Sequence, residues 1–510
     1  MNKKSRTYNA IKNSSVGIAL QVITVILNFV VRTIFVQTLC KEYLGVNGLF
    51  SNIFTMLSVA EMGIGGAIIY CMYKPVAEAD ERRIAQLMHF YRWAYRLVGG
   101  FVLITGGLLT PFLRFIIDDI PDIPHIYVIY LLYVVNSGLS YFFTYKRSLV
   151  IADQKEYISH YVRLFFTVLK AVGQGLILLV WKDFILYLLV QTLVTVLDNI
   201  VISLYVDKHY SFLKRFSKES LDVQERKSIF SNIKALFIYK IGSRVLDGTD
   251  NILISKFVGI SWVGLLSNYT LITSAISMVT SQILSAMTAG VGNYIAKEHS
   301  NSYEKLVQRI SFLNYVIYGY VFLMLTTLFN PFIECWIGAK YLVSYQTVVV
   351  IALNEYIYGM MNSIWTFRST MGLFTYGRWR PMISAIINIV VSILLALKLG
   401  MIGVLIGTTI TRLSTNVWYD PLIVYRYGLR KSPMKFYLSL ALYTMVMTLD
   451  LIGVSIIYHY LPIMHPFVNL VVRAVLTSLV FGGTLVLVWR KSDEFRYLID
   501  RLKLFFRRKI

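Results

Sequence analysis

Long apolar runs alternate with short polar links along the whole chain. A helix crosses the hydrocarbon of a bilayer with about 20 mostly apolar residues. On that criterion the pattern predicts fourteen spans. Six fall in the first part, at 14–39, 46–72, 88–116, 125–148, 158–181 and 183–206. Six more follow at 230–257, 261–294, 308–334, 343–367, 379–398 and 400–425, and a final pair lies at 436–459 and 466–489. The first run, 16–39, is too long for a cleavable signal and lacks a small-residue cleavage site, so it is expected to stay as the first membrane helix.

The links alternate in charge. Cations crowd the amino-terminal tail (Lys3, Lys4, Arg6, Lys12) and the links after every second span, such as Lys74, Arg82, Arg83 and Arg92 after the second. Lys146, Arg147 and Lys155 follow the fourth span, and Arg368, Arg378 and Arg380 follow the tenth. The intervening links carry single cations at most, and one of them, 118–122, is acidic. Because cytoplasmic loops hold the Lys/Arg excess, both termini are expected in the cytoplasm.

A short pattern occurs twice. Setting Gly45 against Gly264 pairs Leu39 with Val258, Tyr43 with Trp262, Leu44 with Val263 and Phe50 with Tyr269. The interval covers six predicted spans, and an even number keeps the orientation. The expected fold class is therefore all-α: a polytopic membrane protein of about 14 transmembrane helices, with two parallel six-helix lobes plus a carboxy-terminal helix pair. The boundaries read as an amino-terminal lobe 1–206, a cytoplasmic linker 207–229, a second lobe 230–427, and 428–510 for the last two helices and a basic tail. Repeated lobes of this kind are the architecture of alternating-access transporters. The segment 490–510 reads as a surface helix touching anionic lipid.

Composition agrees with the pattern. The 510 residues are 56% hydrophobic and only 15% charged, against about 25% charged in soluble domains. The net charge of +23 sits in the links and so reports topology, not nucleic-acid binding. Cys40, Cys71 and Cys335 lie far apart in apolar surroundings and read as buried structural thiols. No metal-ligand spacing and no phosphate-binding loop occurs, so no metal, cofactor or catalytic residue is assigned and the chain does not read as an enzyme.

Polar residues inside spans are the candidates for function. Gln21, Thr24, Asn28 and Arg32 form one stripe on the first span; His160, Arg163, Thr167, Lys170 and Gln174 form another on the fifth. In the seventh, Lys240, Arg244 and Asp247 share an arc of about 60°, with Asp250 rotated away. Thr270, Thr273, Ser277, Ser281 and Thr288 make a hydroxyl stripe on the eighth. A charge at the bilayer centre costs at least about 2.5–3.5 kcal/mol, so such residues face an interior or an aqueous path. Arg32, Lys170 and Arg244 would suit a cationic cavity for an anionic headgroup, since guanidinium offers a fork of donors and ammonium a compact charge. The competing reading pairs Arg244 with Asp247 or Asp250 and lets Arg32 snorkel to the interface. Glu61, Asp247, Asp250 and Glu355 could bind a coupling ion or pair structurally with cations. Structural roles are the default for Asp198, Asp420, Arg96, Arg412 and Arg473, and close helix packing for Gly403 and Gly407.

Four stretches resemble the bacterial polysaccharide flippases, the Wzx-type O-antigen and capsule repeat-unit translocases of the multidrug, oligosaccharidyl-lipid and polysaccharide exporter superfamily. They are TIFVQTLCKEYLGVNGLFSNIFTMLSVAEMGIGGAIIYCMYKP (33–75), LVIADQKEYISHYV (149–162), DGTDNILISKFVGISWVGLLSNYTLI (247–272) and INIVVSILLALKLGMIGVLIGTTITR (387–412). The resemblance implies a multi-pass protein of the bacterial cytoplasmic (inner) membrane that flips an undecaprenyl-diphosphate-linked oligosaccharide through a cationic cavity between two lobes. Its partners would be that lipid-linked anionic substrate, membrane lipids and polysaccharide polymerase machinery, with no nucleic acid. The alternatives are a cation-coupled multidrug exporter of the same superfamily, or a membrane polysaccharide polymerase or glycosyltransferase, which the short loops disfavour.

Overall fold

The computed structural model describes residues 3–57, 69, 71–117, 123–216, 219, 221–222, 224–227, 229, 248–297, 303–373, 376–377, 379–461 and 465–507. Every regular element among them is helical. In lipid a segment must satisfy its own backbone, and a helix does so without a partner. Ten described helices are long and apolar enough to cross a membrane. The other four of the fourteen predicted spans explain themselves individually. Those at 46–72 and 230–257 fall partly or largely outside the described residues. The predicted 343–367 is a 26-residue helix not apolar enough to join the ten. The span at 400–425 is a short α-helix, Met401–Thr411, continued by π-helical turns at Arg412–Val417 and Val424–Leu429.

The chain divides into two compact units, Met1–Gly264 and Leu265–Ile510. The first contains α1 (Lys3–Thr38), α2 (Lys41–Leu57), α3 (Glu81–Leu109), α4 (Ile126–Thr144), the short α5 (Arg147–Ala152), α6 (Glu156–Val180), α7 (Phe184–His209) and α8 (Phe212–Arg215). Helix α1 packs along α6, and α4 lies between α3 and α7. Helix starts are fixed by side chains that accept orphan backbone N–H groups. Asp80 accepts from Arg83 N and Asp183 from Leu186 N, both at 2.9 Å. Asn13 does this across elements: it accepts from Tyr157 N at 2.8 Å and donates to Gln154 O at 3.0 Å, tying α1 to the start of α6.

The repeated motifs meet each other. Helix α9 (Ile260–Lys297) begins inside the first unit, and its first turn crosses the first turn of α2. A Cβ on Gly45 would fall 2.1 Å from the carbonyl oxygen of Ile260, and one on Gly264 would fall 2.5 Å from that of Lys41. Ser261 donates to Glu42 at 3.2 Å, and these two are also 219 residues apart, the interval of the repeat. The glycines of the repeat are thus there so that two backbones can touch.

In the second unit, α10 (Tyr303–Ile337) is the central element. Around it stand α11 (Tyr345–Thr370), α14 (Met434–His459) and α15 (Pro466–Trp489), while α12 (Arg380–Leu399) pairs with α13 (Met401–Thr411). Gly403 and Gly407 press against Leu395 and Ser392 of α12, which is the close packing expected of them. The final helix pair is held on α10 by aromatic rings: Tyr315 stacks on Tyr443 at 4.6 Å between centroids and meets Trp489 at 5.0 Å. The amphipathic α16 (Asp493–Arg507) docks there too, with Arg309 over the Tyr497 ring at 4.3 Å.

The cysteines differ from expectation. Cys40 and Cys335 are exposed and Cys71 is half-buried. In a protein solvated by lipid, apolar neighbours in sequence mark the outer surface as readily as the core, so they do not predict burial.

Because the atoms facing Gly45 and Gly264 are backbone, a methyl at either cannot be absorbed by a rotamer change. Gly45→Ala and Gly264→Ala are each expected to cost about 1–3 kcal/mol, and the double variant less than the sum, since one displacement relieves both. Thermal unfolding of the purified protein in detergent measures this; unchanged midpoints would contradict the contact.

Candidate functional site

A ladder of polar side chains runs through the first unit. Arg32 lies on α1, half-buried, and interacts with the hydroxyls of Tyr133 on α4 and Tyr187 on α7. Tyr133 in turn donates to Asn47 Oδ1. Tyr187 also meets Gln174 of α6, whose side-chain amide donates to Gln191 of α7 at 3.3 Å. One helical turn from Gln174 stands Lys170, half-buried in the middle of α6. The charges it faces are Asp198 of α7 and Arg163 of its own helix. Asp198 closes the ladder by accepting from Arg147 of α5 at 2.8 Å.

The cations on this ladder are not alike. Arg147 is buried, pairs with Asp198 and lies 3.3 Å from the Ser159 hydroxyl. Burial pulls its guanidinium below the ordinary value, and the Asp198 charge opposes that shift. Lys170 makes no hydrogen bond or ion pair among the described residues. Arg147 and Lys170 both face the carboxylate of Asp198, and Arg163 is a further cation felt by both, so cations outnumber carboxylates around Asp198 among the described residues.

The sequence-predicted candidates distribute as follows. Arg32 and Lys170 lie on the two helices that pack along each other, α1 and α6, and belong to successive parts of one polar track. Arg244, Glu61 and Asp247 lie outside the described residues. Asp250 is half-buried on the helical segment 248–257. Glu355 is in the second unit on α11, where it accepts from Ser277 of the predicted hydroxyl stripe at 3.3 Å. Arg147 escaped sequence reading because it sits in a basic run that looks like an ordinary cytoplasmic link. Its partner Asp198 was the available signal, a carboxylate in a span that needs a cation.

The second unit uses buried charge for construction. Asp420 is fully buried and accepts from Arg368 at 2.7 Å and from the Trp365 indole at 2.8 Å, with Arg380 at 3.2 Å. Arg368 also donates to the backbone of Tyr376 at 2.6 Å, which secures the turn between α11 and α12. Arg412 donates to Asn354 O at 2.6 Å and Arg473 to Asn469 at 2.9 Å. Lys431 and Lys435 flank Glu304 at 2.6 and 3.4 Å.

The polytopic helical chain shares its fold with solved structures. The likeness to the lipid II flippase MurJ in an inward closed conformation has a TM-score of 0.68 at 13% identity, covering 92% of this chain and 98% of that one. For an inward-facing multidrug resistance MATE family transporter of the MOP superfamily the TM-score is 0.61 at 13% identity, with 80% and 97% covered. For a MOP superfamily transporter from Pyrococcus furiosus it is 0.55 at 14% identity, with 84% and 97% covered. No curated protein matches the sequence. Residues 10–288 match the family described as polysaccharide biosynthesis protein, and the chain belongs to that family.

Paired and unpaired cations should answer differently to removal of charge. Asp420→Ala leaves Arg368 and Arg380 buried without compensation and is expected to cost about 3–5 kcal/mol. Lys170→Met removes an ammonium with no bonded partner among the described residues and is expected to leave the thermal midpoint unchanged or raised. Parallel melting curves decide; a large loss from Lys170→Met would make Lys170 a structural residue.

Proposed function

We propose that this protein is a flippase that carries an undecaprenyl-diphosphate-linked oligosaccharide across the cytoplasmic membrane by alternating access. Lys170 carries the reading: an ammonium held in the middle of a membrane helix at a net cost, beside a carboxylate already engaged by Arg147. A charge kept there without a bonded partner among the described residues suits a ligand that brings the opposite charge. A diphosphate does so, and arginine and lysine are the residues that match it. Membership of a polysaccharide biosynthesis family and a fold shared with a lipid II flippase support the same substrate class.

In this proposal the two six-helix lobes at 1–206 and 230–427 rock about a path lined by Lys170 and Arg32 from the first and Arg244 from the second. The cations take the diphosphate from the cytoplasmic side while the lipid tail stays in the bilayer. Glu61, Asp247, Asp250 and Glu355 are the carboxylates available for a coupling ion or for pairing with cations. Both termini and the linker 207–229 lie in the cytoplasm, and the chain acts as a transporter, not an enzyme. An exporter of organic cations would instead favour an acidic path, whereas the described track around α6 is positive.

The test is translocation of a lipid-linked oligosaccharide into glycosidase- or lectin-accessible form, with membrane protein level measured alongside. Lys170→Ala and Arg244→Ala are each expected to lower the rate about tenfold or more, as loss of one charge-assisted contact does, with Lys170→Arg retaining part of it. Full activity in the Lys170→Ala/Arg244→Ala double variant would remove this site.

A further inference from the structure

A second cationic feature of the first unit lies off the polar ladder. Where α3 begins and α4 and α7 end, the helices enclose a cavity of ≈ 410 Å³. Its walls carry Arg92 and Arg96 from α3, Lys146 from the turn after α4, and Lys214 from α8. Against these four cations stands one carboxylate, Asp207, which Lys146 holds at 2.7 Å through both oxygens. The Tyr145 hydroxyl, on the same cavity wall, is within electrostatic reach of Arg92, Arg96 and Asp207.

Four other cations of this unit are already matched. Arg82 pairs with Glu219 at 2.6 Å, Arg83 with Glu225 at 2.8 Å, Arg147 with Asp198 at 2.8 Å and Lys155 with Asp153 at 2.7 Å. Arg92 and Arg96 are exposed and make no such pair among the described residues. They stand one turn apart on one face of α3. Directly beside that face runs an exposed apolar stripe on the same helix: Trp93, Leu97, Phe101, Ile104 and Leu108. A cationic cavity that opens next to a lipid-facing stripe has two chemistries in register, a headgroup place and an acyl-chain place.

We propose that this cavity binds the phosphate of an anionic membrane lipid, with Arg92 and Arg96 on the phosphate and the acyl chains along Trp93, Leu97 and Phe101. Arginine supplies the planar fork that a phosphate accepts, and basic pockets between helices at the cytoplasmic surface suit such headgroups. Lys146 stays with Asp207 and shapes the wall; Lys214 adds charge from the link. The bound lipid would tie the start of α3 to the ends of α4 and α7. The site is separate from Lys170 and Arg32 and does not depend on the transport reading.

The experiment uses the purified full chain in a mild detergent, with bound lipid counted by native mass spectrometry and thermal midpoint recorded in parallel. The probes are phosphatidylglycerol, phosphatidylcholine and inorganic pyrophosphate. The wild type is expected to retain phosphatidylglycerol in preference to phosphatidylcholine and to gain thermal stability from it, less so at high salt. Arg92→Gln/Arg96→Gln is expected to hold it about tenfold more weakly, and Arg92→Lys/Arg96→Lys between the two. Equal retention by wild type and the Gln double variant overturns the proposal. Pyrophosphate matching phosphatidylglycerol overturns the lipid assignment in favour of a soluble anion. Because Arg92 and Arg96 are exposed, the Gln variant folds; single Arg92→Gln and Arg96→Gln variants provide the same readout with half the change.

Discussion

Charge is expensive where water is absent, and that cost organises this protein. A cation in a membrane helix must find a carboxylate, a backbone carbonyl, an aromatic face or an aqueous path. The second unit shows the first three solutions. Asp420 takes Arg368, Arg380 and the Trp365 indole, Arg412 takes the carbonyl of Asn354, and Arg473 lies 4.7 Å from the Tyr458 ring centre. The Asp420 cluster and Arg412 join α11, α12 and the continuation of α13, and Arg473 joins α15 to α14. Charge here does the joining that apolar contact cannot do in lipid, because lipid tails are as apolar as the side chains they surround.

Where the units need close backbones they use small residues and rings. The Gly45–Gly264 crossing brings two helix starts into contact, and Gly403 and Gly407 do the same for α12 and α13. Helices α14 and α15 follow another rule: large rings, Tyr315, Tyr443 and Trp489, fill the gap against α10. Both devices rest on van der Waals packing. Both are short-ranged, so their partners have to be placed by the fold before the contact contributes anything.

Against this background the two sets of less satisfied cations stand out. On the ladder through α6 and α7, Lys170 shares the Asp198 carboxylate with Arg147, with Arg163 a further cation nearby, so cations outnumber carboxylates there among the described residues. Where α3 begins, Arg92 and Arg96 line a cavity whose carboxylate, Asp207, is engaged by Lys146. One surplus lies along the interior of the unit and the other beside its lipid-facing surface.

Much of the architecture was legible in residue order. The period of apolar runs and the alternation of basic links follow directly from bilayer thickness and from the charge asymmetry of the two membrane faces, and both are one-dimensional properties. The repeat glycines were legible as well, because a backbone contact demands glycine wherever it occurs. Partner choice was not. Arg147, Arg368 and Arg380 look like ordinary link cations in sequence, and they are structural because Asp198 and Asp420 come to them from helices 51, 52 and 40 residues away. Arg96 looked structural and lines an open cavity, and the cysteines looked buried and are largely exposed. The sequence by itself determined that the chain is an all-helical, multi-pass membrane protein and where its charge is scarce. Only the tertiary structure decided which charges are neutralised, because the energy of an ion pair depends on a separation of a few ångströms between residues that the chain order leaves far apart.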